Sequence, residues 1–233
     1  MNAPLPEGRP PQRLNWPKIQ NWLGVLRHLP STLLFNLRYF GWKGFQLPVL
    51  FASPVELRTL GGKVELQDFG FGMVRFGWGK VGLISRREEI VWENSGTIRF
   101  AGRAFFGRAV KISVAGILEF GDGFQERGRS GIIACDQVIF GKNVLLSWDV
   151  QVMDSDFHVI SDASGKEGPK TAPIHIGSGV WMGCGSLALK GSWIPDGAIV
   201  AARTLVNRRF EGVGLLLAGV PARTKQQNLT WRP

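Results

Sequence analysis

The 233-residue chain has only two cysteines, Cys135 and Cys184, and three histidines. Two distant cysteines make neither a disulfide framework nor a metal-ligand spacing, which points to a reducing compartment. Acidic residues are also scarce. Eighteen Asp and Glu stand against 28 Lys and Arg, a formal charge of +10. That balance suits anionic partners such as nucleic acid, phosphorylated cofactors or a membrane surface. No apolar run approaches the roughly 20 residues that span a bilayer, and the opening MNAPLPEGRPPQRLNW has no apolar signal core. The expected location is cytoplasmic. Charged residues are 20% and apolar residues 44%, a globular composition with room for one large domain, or one domain and an extension.

Glycine and proline are plentiful, at 31 and 13, and are spread through periodic segments, as in a turn-rich β protein. Residues 1–17 are Pro-rich. Residues 18–52 differ from all that follows: KIQNWLGVLRHL and STLLFNLRYFGWKGFQLPVLF mix apolar and aromatic residues with Arg and Lys. Ser31, after Pro30, is placed to cap a short helix. Residues 1–63 carry eight Lys and Arg against Glu7 and Glu56, more than half of the net charge. Two readings coexist for this extension. One is a helical cap over the open end of the next domain; the other is a basic, aromatic contact with a membrane surface.

Residues 176–206 read IGSGVWMGCGSLALKGSWIPDGAIVAARTLV. Every sixth residue from Ile176 is apolar: Met182, Ala188, Ile194, Val200, Val206. Four places after the first five stand Val180, Ser186, Ser192, Ala198 and Thr204, all small or β-branched. The same spacing links Phe100, Phe106, Ile112, Leu118 and Phe124, then Ala134, Phe140, Leu146 and Val152. A period of six excludes an amphipathic helix, whose repeat is 3.6 residues. It fits a β-solenoid in which three hexapeptides make one triangular coil, with first and fifth positions inward. Residues 55–99 are β-rich without a strict period and read as irregular first coils.

These motifs resemble the hexapeptide-repeat acyltransferases. IGSGVWMGCG, IPDGAIVAARTLV and AGVPAR carry the resemblance over about residues 100–225. FGKNVLLSWDVQVMDSDFHVI is similar to the coil before that family's catalytic loop. FNLRYFGWKGFQLPVL is similar to a leader of sugar O-acetyltransferases from surface-polysaccharide clusters. The resemblance implies an all-β, left-handed parallel β-helix with a short basic, partly helical N-terminal extension. The expected division is extension 1–54, β-helix 55–210 with a protruding loop at 153–175, and tail 211–233 with AGVPAR.

The loop MDSDFHVISDASGKEGPKTAPIH interrupts the repeat, and a loop leaving a rigid scaffold is a place for function. His158 is expected to be the general base, as a histidine of this loop is in the family. Asp154 or Asp156 would fix its tautomer. His175, one place before inward Ile176, points outward, as a surface strand residue or in a cleft between subunits; His28 is expected to be structural. The resemblance places coenzyme A against Trp181, Gly183, Cys184, Ala202, Asn207, Arg208 and Arg223, with an oxyanion donor near Gly183 and Cys184. Cys184 is expected to be a packed small residue rather than a nucleophile. Ala201-Ala202-Arg203 replaces the family's Gly-Ala-Gly, and Asn207-Arg208 replaces Thr-Lys.

The expected activity is acetyl-CoA-dependent O-acetylation of a sugar or glycan hydroxyl, with a sugar N-acyltransferase on the same fold as the alternative. A non-catalytic β-solenoid is the third reading. The acceptor is expected to be lipid-linked or free, in surface polysaccharide synthesis, and the assembly a homotrimer with its site between prisms. Peripheral contact with the inner face of a membrane would run through 18–52. No metal is expected, since the metal-dependent hydratases of this fold use three histidines on neighbouring coils and His28 lies in the leader. No nucleic-acid module is visible.

Overall fold

A computed structural model describes residues 19–79, 84–85 and 88–232. Two helices, α1 (Ile19–Arg27) and α2 (Leu29–Phe40), lead through a 3-10 turn at Gly41–Gln46 into the first strand. The helices cap an open sheet edge with side chains. Asn36 Nδ2 donates to the Val49 carbonyl at 2.7 Å, and its Oδ1 accepts the Val49 N–H at 3.1 Å. Thr32 Oγ1 accepts the Phe51 N–H at 3.3 Å. The unpaired edge of Val49–Phe51 is thereby satisfied, which removes a template for strand addition. Phe35 closes the end of the core, edge-on to Phe51 at 5.3 Å and to Trp92 at 4.9 Å. Ser31 is not the cap expected from sequence. The helix takes Pro30 and Ser31 into its first turn, and His28 stands at the N-cap without a side-chain bond. Pro tolerates that turn because its missing N–H has no partner there anyway.

Beyond the cap the chain winds as a parallel β-helix with three faces. The first face runs from Val49–Phe51 through Ala104–Phe106 and Trp181–Met182 to Leu216–Ala218, then adds antiparallel Arg223–Gln226. The second runs from Val55–Leu60 to Leu205–Val206 and the third from Lys63–Leu66 to Trp193–Ile194. The coils therefore start before residue 55 and continue past 210. The first coils are irregular, as expected: Val55–Leu60 and Lys63–Leu66 pair in parallel with Ile90–Asn94 and Thr97–Phe100, but Val55 lies 35 residues from its partner Ile90 and Lys63 lies 34 from Thr97, and the register shifts between Leu57 and Thr59.

After these first coils the regular coils come in two sizes, and the pairing register reveals it. Ile176 pairs with Ile194, Met182 with Val200 and Ala188 with Val206, eighteen residues apart, three hexapeptides to a coil. All eleven positions assigned inward in this run are buried. Upstream the coil is twenty residues: Phe100 pairs with Phe120, Phe106 with Glu126, and Ile112 with Ile132. The strict period of six read across 100–124 is thus corrected. Four-residue strands there turn two side chains inward, and the count of six passes from one inward position to the other. The wider coils are filled by stacked rings, with Phe76–Phe106 at 4.4 Å and Phe120–Phe140 at 5.3 Å. The narrower coils are filled by Ala188, Ala198 and Val200.

The register also places Glu126 inside the prism, between Phe106 and Leu146. Its side chain is fully buried, and its oxygens accept the N–H groups of Gly107, Gly128 and Ser130. Burial pushes its carboxyl up to about 7, against the opposing pull of those hydrogen bonds.

Candidate active site

Leu146 pairs with Met182 across thirty-six residues, twice a narrow coil. One coil's length of chain has been extruded, and it leaves between Gln151–Met153 on the second face and Ile174–Ile176 on the third. The excursion is ordered. Antiparallel bridges join Ser155 to Thr171 and Ser161 to Glu167. At its tip the Asp162 carboxylate accepts the N–H groups of Ser164 and Lys166, and the Ser164 hydroxyl leads the hydrogen bonds that hold the Asp162 carboxyl below its usual value.

His158 lies exposed in this excursion. Its Nδ1 stands 3.2 Å from the Asp156 carbonyl oxygen. A carbonyl only accepts, so this bond puts the proton on Nδ1 and leaves the Nε2 lone pair of the neutral ring available. The turn that makes this contact is fixed from several sides. The Asp156 N–H donates to Lys170 O at 3.0 Å, and the Phe157 N–H donates to Ser155 Oγ at 3.0 Å. Phe157 itself has φ 60°, a left-handed conformation uncommon for an aromatic residue.

Neither nearby carboxylate is the ring's partner. Asp154 is fully buried and spends both oxygens on the Cys135 and Asp136 N–H groups of the preceding coil, at 2.8 Å each. The Asp156 carboxylate pairs with Lys190 Nζ at 2.6 Å. Lys190, which sequence reasoning missed, also donates to the Pro169 carbonyl and so ties both arms of the excursion to the second face. His175 points outward, as alternation requires, but into a stack: its ring lies 4.0 Å from Trp193, whose other neighbour is the Arg209 guanidinium at 4.3 Å. Burial holds the His175 imidazole below its usual value. His28 sits half-buried at the helix junction, also lowered by burial.

The residues assigned to coenzyme A fall into two groups. Trp181, Gly183, Cys184 and Ala202 share the corner between the first and second faces on consecutive coils, where the Arg203 N–H donates to the Cys184 carbonyl at 2.9 Å. A Cβ on Gly183 would meet the Ala202 nitrogen at 2.7 Å, so this stacking requires glycine. The Gly183 N–H is committed to Val200 O at 2.7 Å. Of the pair near the expected oxyanion, Cys184 N–H is the one with no main-chain bond among the described residues. Arg203 takes φ 54° where the family pattern has glycine. The second group lies at the AGVPAR turn. Arg208 Nη2 donates to the Ala222 carbonyl at 3.2 Å, next to exposed Arg223, and Asn207 is exposed beside it. The tail then returns over the first face, where Trp231 packs 5.8 Å from Trp181 and donates to Gly179 O at 2.7 Å. Trp181 itself donates to Ser147 Oγ at 3.1 Å.

Within one chain, His158 and the Cys184 wall are not brought together. The excursion leaves the corner between second and third faces, whereas Cys184 turns the corner between first and second. Among the described residues, no cluster of three His, Cys, Asp or Glu is arranged to hold a metal ion.

No family model matches the chain. Over 140 residues it is 30% identical to an uncharacterized 24.8 kDa protein in the cps region of Klebsiella pneumoniae, covering 60% of this chain and 62% of that one. The alignment thus spans about three fifths of that relative's length. WbbJ of Escherichia coli (strain K12), provisionally named a lipopolysaccharide biosynthesis O-acetyl transferase, is 24% identical over 141 residues, 56% of this chain and 71% of WbbJ. Among solved structures, the polysialic acid O-acetyltransferase OatWY aligns at 18% identity with a TM-score of 0.44, over 78% of this chain and 88% of that one. The chain is thus similar in sequence to a protein provisionally named as an O-acetyl transferase.

Proposed function

We propose that this chain is an acetyl-CoA-dependent O-acetyltransferase acting on a sugar or glycan hydroxyl in surface polysaccharide synthesis, with His158 as general base. The observation that carries the reading is the His158 ring held through Nδ1 by the Asp156 carbonyl. That tautomer is the one a base needs. Acetyl-CoA supplies the acetyl group as a thioester. His158 Nε2 takes the proton of the acceptor hydroxyl as the oxygen bonds to the acetyl carbon and the carbon–sulfur bond breaks. The Asp156 carbonyl supports the resulting imidazolium, and Nε2 returns the proton to the leaving thiolate. The Cys184 N–H is the donor for charge developing on the carbonyl oxygen. The basic end of the helix, with Arg203, Arg208 and Arg223, suits the phosphates of coenzyme A.

The loop and the wall stand at different corners of one prism, so a complete site needs a second copy. A homotrimer, as the resemblance implies, would set the excursion of one chain against the wall of the next. The testing experiment is thiol release from acetyl-CoA against a panel of neutral sugars, amino sugars and glycan oligomers, with the product's linkage determined. Acceptor-dependent release with an ester product supports the reading. An amide product moves it to N-acylation, and no release with any acceptor overturns it.

A further inference from the structure

The helical cap has two apolar sides, and only one of them is used. Val25, Thr32, Phe35 and Asn36 face the first coil and are buried. The opposite side carries Leu23, Leu26, Leu34 and Leu37, all exposed. Leu23 and Leu26 on α1, and Leu34 and Leu37 on α2, are each three residues apart, which puts each pair on one face of its helix. The stripe continues past the α1–α2 junction at His28, whose backbone (φ −104°, ψ 20°) leaves helical geometry while its N–H still donates to Gly24 O and its carbonyl accepts the Thr32 N–H, both at 3.0 Å. It ends on the 3-10 turn, where Trp42 is 86% exposed and stacks with exposed Phe45 at 5.7 Å. Among the described residues, eight of the fourteen exposed large hydrophobic side chains fall within residues 23–71, which concentrates apolar surface at this end.

Charge decides what covers it. Arg27, Arg38 and Lys43 are exposed within the stripe and its turn. Residues 19–55 contain no Asp or Glu, and Arg9, Arg13 and Lys18 precede them in the sequence. A second copy docking here about a two-fold axis would set these cations against themselves with no carboxylate to pair them. An anionic surface meets them with opposite charge and accepts leucine and aromatic side chains beneath its headgroups. No described helix is long and apolar enough to cross a membrane. We propose that the outer stripe of α1 and α2, with the Trp42–Phe45 pair as its aromatic anchor, lies flat in the interface of an anionic lipid bilayer. This contact is independent of the acetyl-transfer reading and is tested without it.

The test is flotation of the full-length protein with vesicles of phosphatidylcholine alone, or with roughly 30% phosphatidylglycerol added to supply anionic headgroups. Binding is expected to the anionic vesicles and to weaken as salt rises. The triple variant R27E/R38E/K43E should bind on the order of 100-fold more weakly. The double variant W42S/F45S should also lose flotation while keeping the parent's melting temperature, since both rings are exposed. Failure of the parent to float with anionic vesicles overturns the proposal, as does binding that survives both variants. So does a change in oligomeric mass in W42S/F45S with flotation unchanged, which would make the stripe a contact between copies.

Discussion

Replacing Asp154 by Ala separates a structural carboxylate from a catalytic one. Asp154 stands at the root of the excursion, four residues before His158, in the position where a carboxylate of a triad is first sought. Its side chain is fully buried, and each oxygen accepts one N–H, from Cys135 and from Asp136, at 2.8 Å. A hydrogen bond to a charged group contributes about 1.5–3 kcal/mol. Cys135 is only half-buried, so water can reach part of what the deletion leaves. The two bonds together are then worth about 2–4 kcal/mol. At about 2–4 °C per kcal/mol for a chain of this size, D154A should melt about 4–16 °C lower. The assay is a thermal melt at fixed protein concentration, paired with turnover measured well below the melt. D154A should retain turnover in its folded fraction. A melting temperature within about 1 °C of the parent, together with a loss of turnover, would refute the reasoning and return Asp154 to the ring of His158.

The Glu126 carboxyl, raised to about 7 by burial, makes stability depend on pH. A raised folded value means that protonation favours the fold. Stability is therefore full below the ordinary carboxyl range and falls as pH rises through about 7, by on the order of 3 kcal/mol. Chemical denaturation from pH 4.5 to 8 should show that slope, and E126Q should flatten it. Lys190 acts on the loop rather than on the core: its pair with Asp156 is about a third exposed, so its loss should cost the fold about 1 kcal/mol or less. K190M should nevertheless lower kcat/KM about tenfold by loosening the turn that holds His158, and K190R should restore most of it, because Arg can span the same two acceptors.

What could be read from the chain, and what could not, follows from how each residue finds its partner. The run from Ile176 to Val206 was legible because a narrow coil repeats its two inward positions at a fixed count of six. Glu126 was hidden because the wider coils carry twenty residues, and counting by six from Phe106 reaches Phe124 through Ile112 and Leu118 instead of the residue that pairs with Phe106. The excursion was legible as the place where the period stops. The contacts inside it were not, because they run to main-chain atoms: Asp156 offers His158 its carbonyl, and Asp154 turns to the amides of another coil. Lys190 gave no signal, since its partners Asp156 and Pro169 lie on a separate segment. The cap was legible from composition, whereas Ser31 misled because Pro30 can enter a helix's first turn.

The central claim is that His158, with its proton on Nδ1, removes a proton from the acceptor at Nε2. The most direct measurement is kcat/KM for acetyl transfer by H158A beside the parent, using the best acceptor from the panel, with both proteins shown to have the same melting temperature and oligomeric mass. The account predicts a fall of about 100- to 10,000-fold for H158A. A variant that transfers acetyl at the parent's rate would contradict it.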